Sequence, residues 1–339
     1  MSAADRPEAL IVMSRDVFEQ QFDSAGRTRL EALVALGEPA WTCDLDDPRV
    51  RSRLAEVEVL VTSWGCPRLD AARLDAAPRL RAVFHCAGSV RRLVSDALWR
   101  RGITVTTAAD ANSIPVAEFT FASIILAGKK AHVLAAEAAR YRDDWSYAAA
   151  HGELSNVGRT VGIVGFSRIG RRVVDLLRVL DEVVVLVSDP YADPLEVAAA
   201  GATLVPLADL LPRAEILSLH APTLPATHHM IGAAQLARLP DHATLINTAR
   251  GALVDTAALE VECASGRLDA ILDVTDPEPL PAQSGLYGLV NVTLTPHIAG
   301  ATGRETRRMA ASAMDEIGRY VAGIEPIARV TGREMGLIA

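Results

Sequence analysis

Lysine is almost absent from this sequence. Of 339 residues only Lys129 and Lys130 are lysines, and we expect both on one helix. This scarcity excludes a phosphate-binding loop that needs a lysine and any Tyr followed four residues later by Lys. It also argues against a Schiff-base lysine in a pocket. The net charge is −8, with no extended basic run to oppose it, so we expect no nucleic-acid partner.

Cysteine is also sparse, and its spacing excludes the usual roles. The four cysteines are scattered with no C-x-x-C pair, which disfavours a disulfide framework or a zinc site and fits a reducing cytoplasm. The first ten residues have no basic start and no apolar run, so we expect no signal peptide. The apolar stretch at residues 116–128 contains Glu118 and is too short to span a bilayer. We therefore expect a soluble cytoplasmic protein.

Short β-rich runs alternate with helix-like segments along the whole chain. Half of the residues are hydrophobic, and the length is too great for one ordinary core, so we expect two domains. The alternation predicts an α/β fold with parallel sheets. The predicted strands are residues 9–13, 57–62, 80–85, 103–107, 160–164, 183–188, 216–220, 244–247, 270–274 and 292–295.

Two long helical segments separate and follow these sets of strands. The first runs from about residue 116 to 140, and its start is marked by Asn112, Ser113, Pro115 and Glu118. The second, residues 303–321, is expected to return the chain to the first domain. A glycine-rich loop comes only after about 160 residues, which indicates a nucleotide domain inserted into another domain. We place the parts at residues 1–109, 110–301 and 302–339.

The glycine-rich loop lies in the string TVGIVGFSRIG, residues 160–170. Gly165 would permit the tight turn after a strand, and Gly170 would permit close packing of the next helix on the sheet. The N–H groups at the start of that helix would face a pyrophosphate. Ser167 stands where glycine is usual. Its side chain would either crowd the phosphate or donate a hydrogen bond to it, and alone the loop is also compatible with a simple strand–helix turn.

Asp189 follows Gly170 by 19 residues, at the end of the next predicted strand. That spacing suits the acid that binds the adenine ribose, and a carboxylate there favours the 2′-hydroxyl of NAD over the 2′-phosphate of NADP. The plainer interpretation is that Asp189 begins a turn with Pro190.

Several strings, taken in order, resemble the NAD-dependent D-2-hydroxyacid dehydrogenase family. They are DANSIPVAEF (110–119), TVGIVGFSRIG (160–170), LSLHAPTLPATHHMIG (217–232), LINTARGALVD (245–255), LDVTDPEPLP (272–281) and TLTPHIAGAT (293–302). The resemblance implies two doubly wound parallel-sheet domains. A Rossmann-type NAD-binding domain, residues 110–301, would be inserted into a flavodoxin-like substrate domain formed by residues 1–109 and 302–339.

The resemblance implies a catalytic set of three residues. Arg250 matches the arginine that binds the substrate carboxylate and carbonyl oxygen, for which a planar guanidinium gives a two-point grip. His297 matches the acid/base histidine, and Glu278 matches the carboxylate that pairs with it, favours the imidazolium and fixes its tautomer. In the related formate dehydrogenases the position of Glu278 is a glutamine, so Glu278 points to a ketone substrate. Taken singly, these residues are compatible with a turn arginine, a loop carboxylate and a core histidine.

Further site residues follow from the same matches. The cofactor site would contain Gly165, Phe166, Ser167, Arg168, Ile169, Gly170, Asp189, Pro190, His220, Ala221, Pro222, Thr227, Thr248, Ala249, Asp273 and Gly300. The substrate site would contain Trp64, Ala87, Gly88, Ser89 and Arg250. Arg91 and Arg92 depart from the acidic or amide pair common in the family. They are either exposed helix residues or a source of positive potential for a more anionic substrate.

Three functions are compatible with these features. The first is a 2-keto acid reductase with NAD as cofactor and no metal, and we interpret His228 and His229 as loop residues because further ligands at useful spacing are lacking. The second is an NAD(H)-sensing protein like the corepressors of this fold, which the lack of a long disordered extension disfavours. The third is a dehydrogenase acting on another anion such as phosphite. The segment from Val116 through Tyr141, Trp145 and Tyr147 matches the part through which family members pair, so we expect a homodimer.

Overall fold

A computed structural model describes residues 6–334 of the chain, and this part forms thirteen strands and thirteen α-helices. The strands are β1 (Glu8–Val12), β2 (Ala35–Thr42), β3 (Val59–Thr62), β4 (Ala82–His85), β5 (Thr104–Thr107), β6 (Thr160–Val164), β7 (Val184–Ser188), β8 (Thr203–Leu204), β9 (Ile216–Leu219), β10 (Thr244–Asn247), β11 (Asp269–Leu272), β12 (Val292–Leu294) and β13 (Arg329–Val330).

The helices fill most of the connections between these strands. They are α1 (Arg15–Gln21), α2 (Ser24–Leu33), α3 (Pro48–Leu54), α4 (Ala71–Ala76), α5 (Asp96–Arg100), α6 (Ala109–Gly128), α7 (Ala131–Glu137), α8 (Arg168–Leu177), α9 (Pro194–Ala199), α10 (Leu207–Leu210), α11 (Ala233–Leu236), α12 (Thr256–Ala264) and α13 (Thr306–Val321).

The chain forms two compact units. It passes from the first to the second between Ser113 and Ile114, and it returns to the first between Gly300 and Ala301. The first unit contains a six-stranded sheet in the order β13-β5-β4-β3-β1-β2, parallel except for the pairing of β13 with β5. The β2-β1-β3-β4-β5 part is the flavodoxin-like order, in which ligands bind beyond the carboxyl ends of the strands.

Both faces of the first sheet are covered, because alternate residues of each strand point to opposite sides. Leu10 and Val12 of β1 enter a core with α3, α4 and α5. Ala9 and Ile11 of the same strand enter a second core with α1, α2 and the return helix α13. Residues 301–334 therefore complete the first unit.

The second unit contains a seven-stranded parallel sheet in the order β12-β11-β10-β9-β6-β7-β8. Its first strand in the chain, β6, lies centrally, and the chain builds outward from β6 on both sides, which is the Rossmann-type arrangement. Val161 and Ile163 pack with α6 and α8 on one face. Val164 packs with α11 and α12 on the other. The predicted fold of two doubly wound sheets is confirmed.

All ten predicted strands are present, and three further strands were not predicted. The missed strands are β2, β8 and β13. β2 contains Gly37, Glu38 and Pro39, which are poor strand formers, and its register with β1 shifts between Ala9 and Ile11. The other two are two-residue strands, too short to show a period.

The predicted start of the long helix is wrong by one turn. The structure begins α6 at Ala109, not near Ser113. The side chain of Asn112 accepts a hydrogen bond from Ala301 N at 3.0 Å, and Ser113 Oγ donates to Asp110 O at 2.6 Å, so these polar side chains bond to other backbone groups. With 20 residues, α6 is long and apolar enough to cross a membrane by length and composition, yet 56% of its most apolar window is buried inside the protein.

Lys130 does not lie within a helix, contrary to the prediction. It adopts a left-handed conformation, φ 51°, at the break between α6 and α7. Its side chain is buried, and Nζ donates to Asp269 Oδ2 at 2.7 Å and to Thr244 Oγ1 at 3.1 Å. A buried lysine held by a carboxylate on β11 is a structural ion pair.

Candidate active site

The glycine-rich loop joins β6 to α8, and two of its residues tolerate no side chain. Gly165 has φ +97°, and a Cβ there would lie 2.7 Å from Ala221 N and from His220 C. A Cβ on Gly170 would lie 2.1 Å from Gly165 O. Gly165 is therefore required by the close approach of the backbone after β9, and Gly170 by the close packing of α8 on the loop itself.

Ser167 is compatible with the loop because its backbone is extended. It precedes α8 with φ −87° and ψ −154°, a conformation that any residue adopts, and its side chain is exposed. The hydroxyl makes no capping hydrogen bond to α8. The departure from the glycine pattern thus carries no backbone strain and leaves a hydroxyl beside the first N–H groups of the helix.

Asp189 follows β7, the strand beside β6, and its carboxylate is tied to the glycine-rich loop. Oδ2 accepts a hydrogen bond from Phe166 N at 2.7 Å, and Oδ1 accepts one from Tyr191 N at 2.9 Å. Phe166 itself is buried beneath the guanidinium of Arg171, which lies 4.6 Å from its ring centre. Asp189 therefore both begins the turn with Pro190 and accepts a hydrogen bond from the glycine-rich loop.

His220 follows β9 and is held neutral by burial. Its Nε2 pairs with Ser218 Oγ at 2.9 Å, while Nδ1 is buried with no partner among residues 6–334. Burial lowers the pKa of His220 to about 3. A buried ring nitrogen without a partner is costly, so this atom is a candidate for contact with a ligand.

Arg250 stands at the end of β10, on a loop organised by Asn247. Asn247 Nδ2 donates to Arg250 O at 2.8 Å, and Asn247 Oδ1 accepts from Ala249 N at 3.1 Å. Arg250 Nη1 donates to Ala249 O at 2.5 Å. Behind this loop, the hydroxyls of Thr248 and Thr120 share a buried hydrogen bond of 2.7 Å.

The loop after β12 that carries His297 is fastened to Asp273, at the end of β11. Asp273 is buried, and its Oδ1 accepts from Thr295 Oγ1 at 2.6 Å and from Ile298 N at 2.8 Å. Its Oδ2 accepts from Ala299 N at 2.8 Å, and its carbonyl accepts from His297 N at 3.0 Å. Three of the roughly four acceptor positions of the carboxylate are thus used to hold the loop.

His297 and Glu278 form a direct pair. His297 Nδ1 lies 2.6 Å from Glu278 Oε1, and both side chains are about half exposed. His297 has φ +55°, a rare backbone conformation for a residue other than glycine. Because Nδ1 faces the carboxylate, Nε2 is the ring nitrogen left to exchange a proton.

In the first unit, the loop after β4 offers backbone rather than side chains. Ala87 is buried, whereas Gly88 and Ser89 are half-buried. His85 lies beneath them and pairs with Thr62 Oγ1 through Nδ1 at 2.9 Å. Burial lowers the pKa of His85 to about 4, partly offset by its contact with the Ser89 backbone, so the ring beneath the loop is neutral.

The loop after β3 lies in the same unit and ends near β1. Trp64 is 43% exposed, and its carbonyl accepts a hydrogen bond from Ser14 N at 3.0 Å. Gly65 has φ +85°, and a Cβ there would lie 2.7 Å from Ser14. The indole therefore stands at the carboxyl edge of the first sheet on a loop that is fixed to the end of β1.

Comparison with known proteins identifies the family. The profile of the D-isomer specific 2-hydroxyacid dehydrogenase NAD-binding domain matches residues 123–299. The glyoxylate reductase of Aeropyrum pernix is 34% identical over 282 residues, which are 81% of this chain and 83% of that protein. The chain belongs to the D-isomer specific 2-hydroxyacid dehydrogenase family.

Other members of the family extend the comparison. The D-3-phosphoglycerate dehydrogenase of Mycobacterium bovis is 32% identical over 86% of this chain, but the chain spans only 55% of the length of that relative. The NAD-complexed 2-hydroxyacid dehydrogenase from Lactobacillus delbrueckii ssp. bulgaricus has the same fold, with a TM-score of 0.78 at 20% identity. That match covers 96% of this chain and 100% of the other. The matched profile is that of an NAD-binding domain, so the cofactor is NAD.

The second unit has the features that a bound dinucleotide requires. A Cβ on Gly165 would meet the backbone of His220, and the Nδ1 of the same histidine is buried without a partner among residues 6–334. Asp189 stands at the end of β7, and the start of α8 offers its N–H groups. These residues fit a dinucleotide.

The remaining matched residues occupy less distinctive positions. Thr227 uses its hydroxyl within its own loop, donating to Pro222 O at 2.6 Å and accepting from Leu224 N at 2.9 Å. The other members of the matched set lie on the loops at the carboxyl ends of the second sheet or at the start of α8: Arg168, Ile169, Pro190, Ala221, Ala249 and Gly300.

Two residues that hold these loops in place, Asn247 and His85, were not predicted as site residues: Asn247 organises the Arg250 loop and His85 supports the Gly88 loop. Asp273 was predicted as a cofactor residue, but its hydrogen bonds to the His297 loop were not. Each is the last residue of a strand or follows it directly. A polar residue at that position, in an otherwise apolar run, is the signal that would have found them.

The two adjacent histidines also differ from expectation, because a third potential metal ligand lies beside them. The Nδ1 or Nε2 atoms of His228 and His229 and a carboxylate oxygen of Asp276 lie within 4.8 Å of one another. The sequence spacing hides this cluster, since Asp276 comes from a different loop.

Proposed function

We propose that the protein reduces a 2-keto acid to a D-2-hydroxy acid, with Arg250, Glu278 and His297 as its catalytic residues. The observation that carries the proposal is the 2.6 Å hydrogen bond between His297 Nδ1 and Glu278 Oε1. It gives the half-exposed imidazole a carboxylate partner and leaves Nε2 to face a substrate. A pair of this kind is the usual arrangement for general acid–base catalysis.

Arg250 is the residue proposed to bind the substrate carboxylate. The guanidinium emerges from the loop after β10, whose backbone Asn247 holds at two points. Its planar donors suit the two-point grip on a carboxylate and a neighbouring carbonyl oxygen that lysine does not reproduce. The cation also stabilises negative charge that develops on that oxygen.

His297 is the proposed proton donor. NADH would supply the hydride when bound, and His297 Nε2 would deliver a proton to the carbonyl oxygen. Glu278 is an anion on the far side of the ring, so it stabilises the imidazolium before the proton leaves. Asp273 and the left-handed conformation of His297 fix where the ring points.

The first unit is proposed to supply the remaining substrate contacts. The backbone of Gly88 and Ser89 would hold the carboxylate, and Trp64 would form a bulky wall. Asp189 is proposed to bind the adenine ribose, since its carboxylate already lies at the glycine-rich loop. Cofactor binding is assigned to the second unit, which also carries Arg250, Glu278 and His297.

Steady-state oxidation of NADH with a panel of 2-keto acids tests the proposal. The panel should span glyoxylate, hydroxypyruvate, phosphohydroxypyruvate, pyruvate and an aromatic keto acid, with phosphite and NAD in a separate arm. Turnover of one keto acid at kcat above about 1 s⁻¹ supports it, because typical enzymes lie between 1 and 10³ s⁻¹. NADH binding without turnover of any member would favour a sensing protein, and turnover of phosphite alone would favour the third function.

We also propose a homodimer in the cytoplasm. Trp145 is 84% exposed and Leu126 is 51% exposed, while Tyr141 and Tyr147 stack with ring centres 4.8 Å apart. Exposed apolar and aromatic side chains of this kind suit a protein interface. All four cysteines are free thiols, which suits a reducing compartment. Light scattering at micromolar concentration tests the dimer, and a stable monomer would contradict it.

A further inference from the structure

We propose that His228, His229 and Asp276 form a binding site for a divalent transition-metal ion, with Zn²⁺ as the probe. Transition-metal ions such as Zn²⁺ bind imidazole and carboxylate ligands, whereas Mg²⁺ and Ca²⁺ favour oxygen ligands alone. The site lies in the second unit and shares no residue with the His297–Glu278 pair. It does not depend on the proposed reaction.

The local backbone brings two consecutive side chains to the same side. Neighbouring side chains in an extended segment point in opposite directions. Here His228 is extended, φ −61°, but His229 is left-handed, φ 52°. As a result the two imidazole rings stack, with centres 3.9 Å apart and planes 26° apart. Strained residues of this kind are enriched at ligand sites.

The two loops that supply the ligands are both anchored on the segment after Arg250. His229 N donates to Ala252 O at 2.8 Å. On the other side, Thr256 Oγ1 donates to Asp276 O at 2.7 Å, and a Cβ on Gly251 would lie 2.0 Å from Thr275 C. The ligand-bearing backbones are therefore fixed before any ion binds, which lowers the entropic cost of binding.

The side chains themselves are available for an ion. Within residues 6–334, no hydrogen bond or ion pair to another side chain engages either imidazole or the Asp276 carboxylate. Ligand atoms of a tetrahedral ion with bonds of about 2.0–2.2 Å lie roughly 3.4 Å apart. The ligand atoms here lie within 4.8 Å, so small side-chain rotations close the site. Three protein ligands leave a fourth position for water.

Bound metal would bridge the 228–229 segment to the loop that carries Glu278. Asp276 lies two residues before Glu278 in the chain. An ion held by both loops restrains Asp276 relative to the histidines. Removal of a ligand from either loop should therefore weaken binding of the metal ion.

Isothermal titration of tag-free, EDTA-treated and dialysed protein with zinc chloride alone tests the site. We expect one Zn²⁺ per chain with a Kd on the order of micromolar, weaker than closed four-ligand sites. His228→Ala, His229→Asn and Asp276→Asn should each weaken binding by at least about tenfold, since even outer-shell changes cost that much. Asparagine at position 229 tolerates the left-handed backbone.

The matched controls are histidines elsewhere in the same unit. His242 is exposed and also left-handed, φ 64°, so His242→Asn reproduces the backbone situation of His229. His297→Asn removes the histidine that pairs with Glu278, on the same loop as Asp276. Both should bind Zn²⁺ like the unaltered protein. Absence of saturable binding, equal binding by Asp276→Asn, or loss of binding in His297→Asn with retention in His228→Ala would overturn the proposal.

Discussion

The loops that follow the strands present different groups in the two units: side chains in the second unit and mainly backbone in the first. In the second, the loops after β10, β11 and β12 carry charged or ionisable side chains, Arg250, Glu278 and His297, each fastened by hydrogen bonds from neighbouring residues. In the first, the loop after β4 carries Ala87, Gly88 and Ser89, which offer mainly backbone above a buried neutral histidine. Chemistry done by side chains is specific to residue type, whereas backbone contacts tolerate many sequences.

The largest expected effect comes from removing the proposed proton donor in the second unit. His297→Asn keeps a residue that tolerates the left-handed backbone but cannot act as a general acid. We expect kcat for keto acid reduction to fall by roughly a hundredfold or more, with little change in KM for NADH. His242→Asn, at another left-handed histidine, should leave both constants unchanged. A fall of less than fivefold in His297→Asn would show that another group donates the proton.

The second largest effect is expected at Arg250, the residue proposed to bind the substrate carboxylate. Arg250→Lys keeps the charge and loses the planar pair of donors. A hydrogen bond to a charged group contributes about 1.5–3 kcal/mol, so KM for the keto acid should rise roughly 10- to 100-fold. Steady-state kinetics with the keto acid varied measures this. Arg238→Lys, whose guanidinium donates to Ala208 O on the surface, is the control. An unchanged KM in Arg250→Lys would remove Arg250 from the substrate site.

Asp273→Asn separates positioning from cofactor binding. The amide would set an N–H group against the backbone donors of Ile298 or Ala299, so the His297 loop should shift. We expect kcat to fall by about tenfold, since small misplacements of a catalytic group are costly. Asp255→Asn, which can still cap α12, should be neutral. A rise in KM for NADH with kcat unchanged would instead assign the remaining acceptor position of Asp273 to the cofactor.

The smallest expected effect lies in the first unit, at Gly88 in the loop after β4, and it is compared with Gly165 in the glycine-rich loop of the second unit. A Cβ on Gly88 would lie 3.4 Å from Asn112 Nδ2, an ordinary contact. Gly88→Ala keeps the backbone N–H, so KM for the keto acid should change by less than about threefold. Gly165→Ala in the second unit should abolish tight NADH binding, because its Cβ meets backbone at 2.7 Å. Similar effects of the two changes on their respective ligands would erase the contrast.

Local sequence patterns predicted most of the fold and the family, but not the features that depend on short strands or on contacts between distant loops. Apolar runs covered on both faces predicted ten strands, and the glycine-rich loop and the order of Arg250, Glu278 and His297 predicted the family. Short edge strands and the strand β2, with Gly37 and Pro39, lack that signal. The Asp276 cluster arises from a tertiary contact between loops 47 residues apart in the chain, counted from His229, which no local pattern contains.

The pairing of Glu278 with His297 is tested most directly by the pH dependence of kcat/KM for keto acid reduction, in the unaltered protein and in Glu278→Gln. Glutamine keeps the shape and the hydrogen bond but removes the anion that stabilises the imidazolium. Reduction requires protonated His297, so activity falls as pH rises and the proton is lost. We expect Glu278→Gln to move this fall to lower pH, with a modest loss of rate below it. An alkaline limb that stays at the same pH in both proteins would contradict the assignment of the pair.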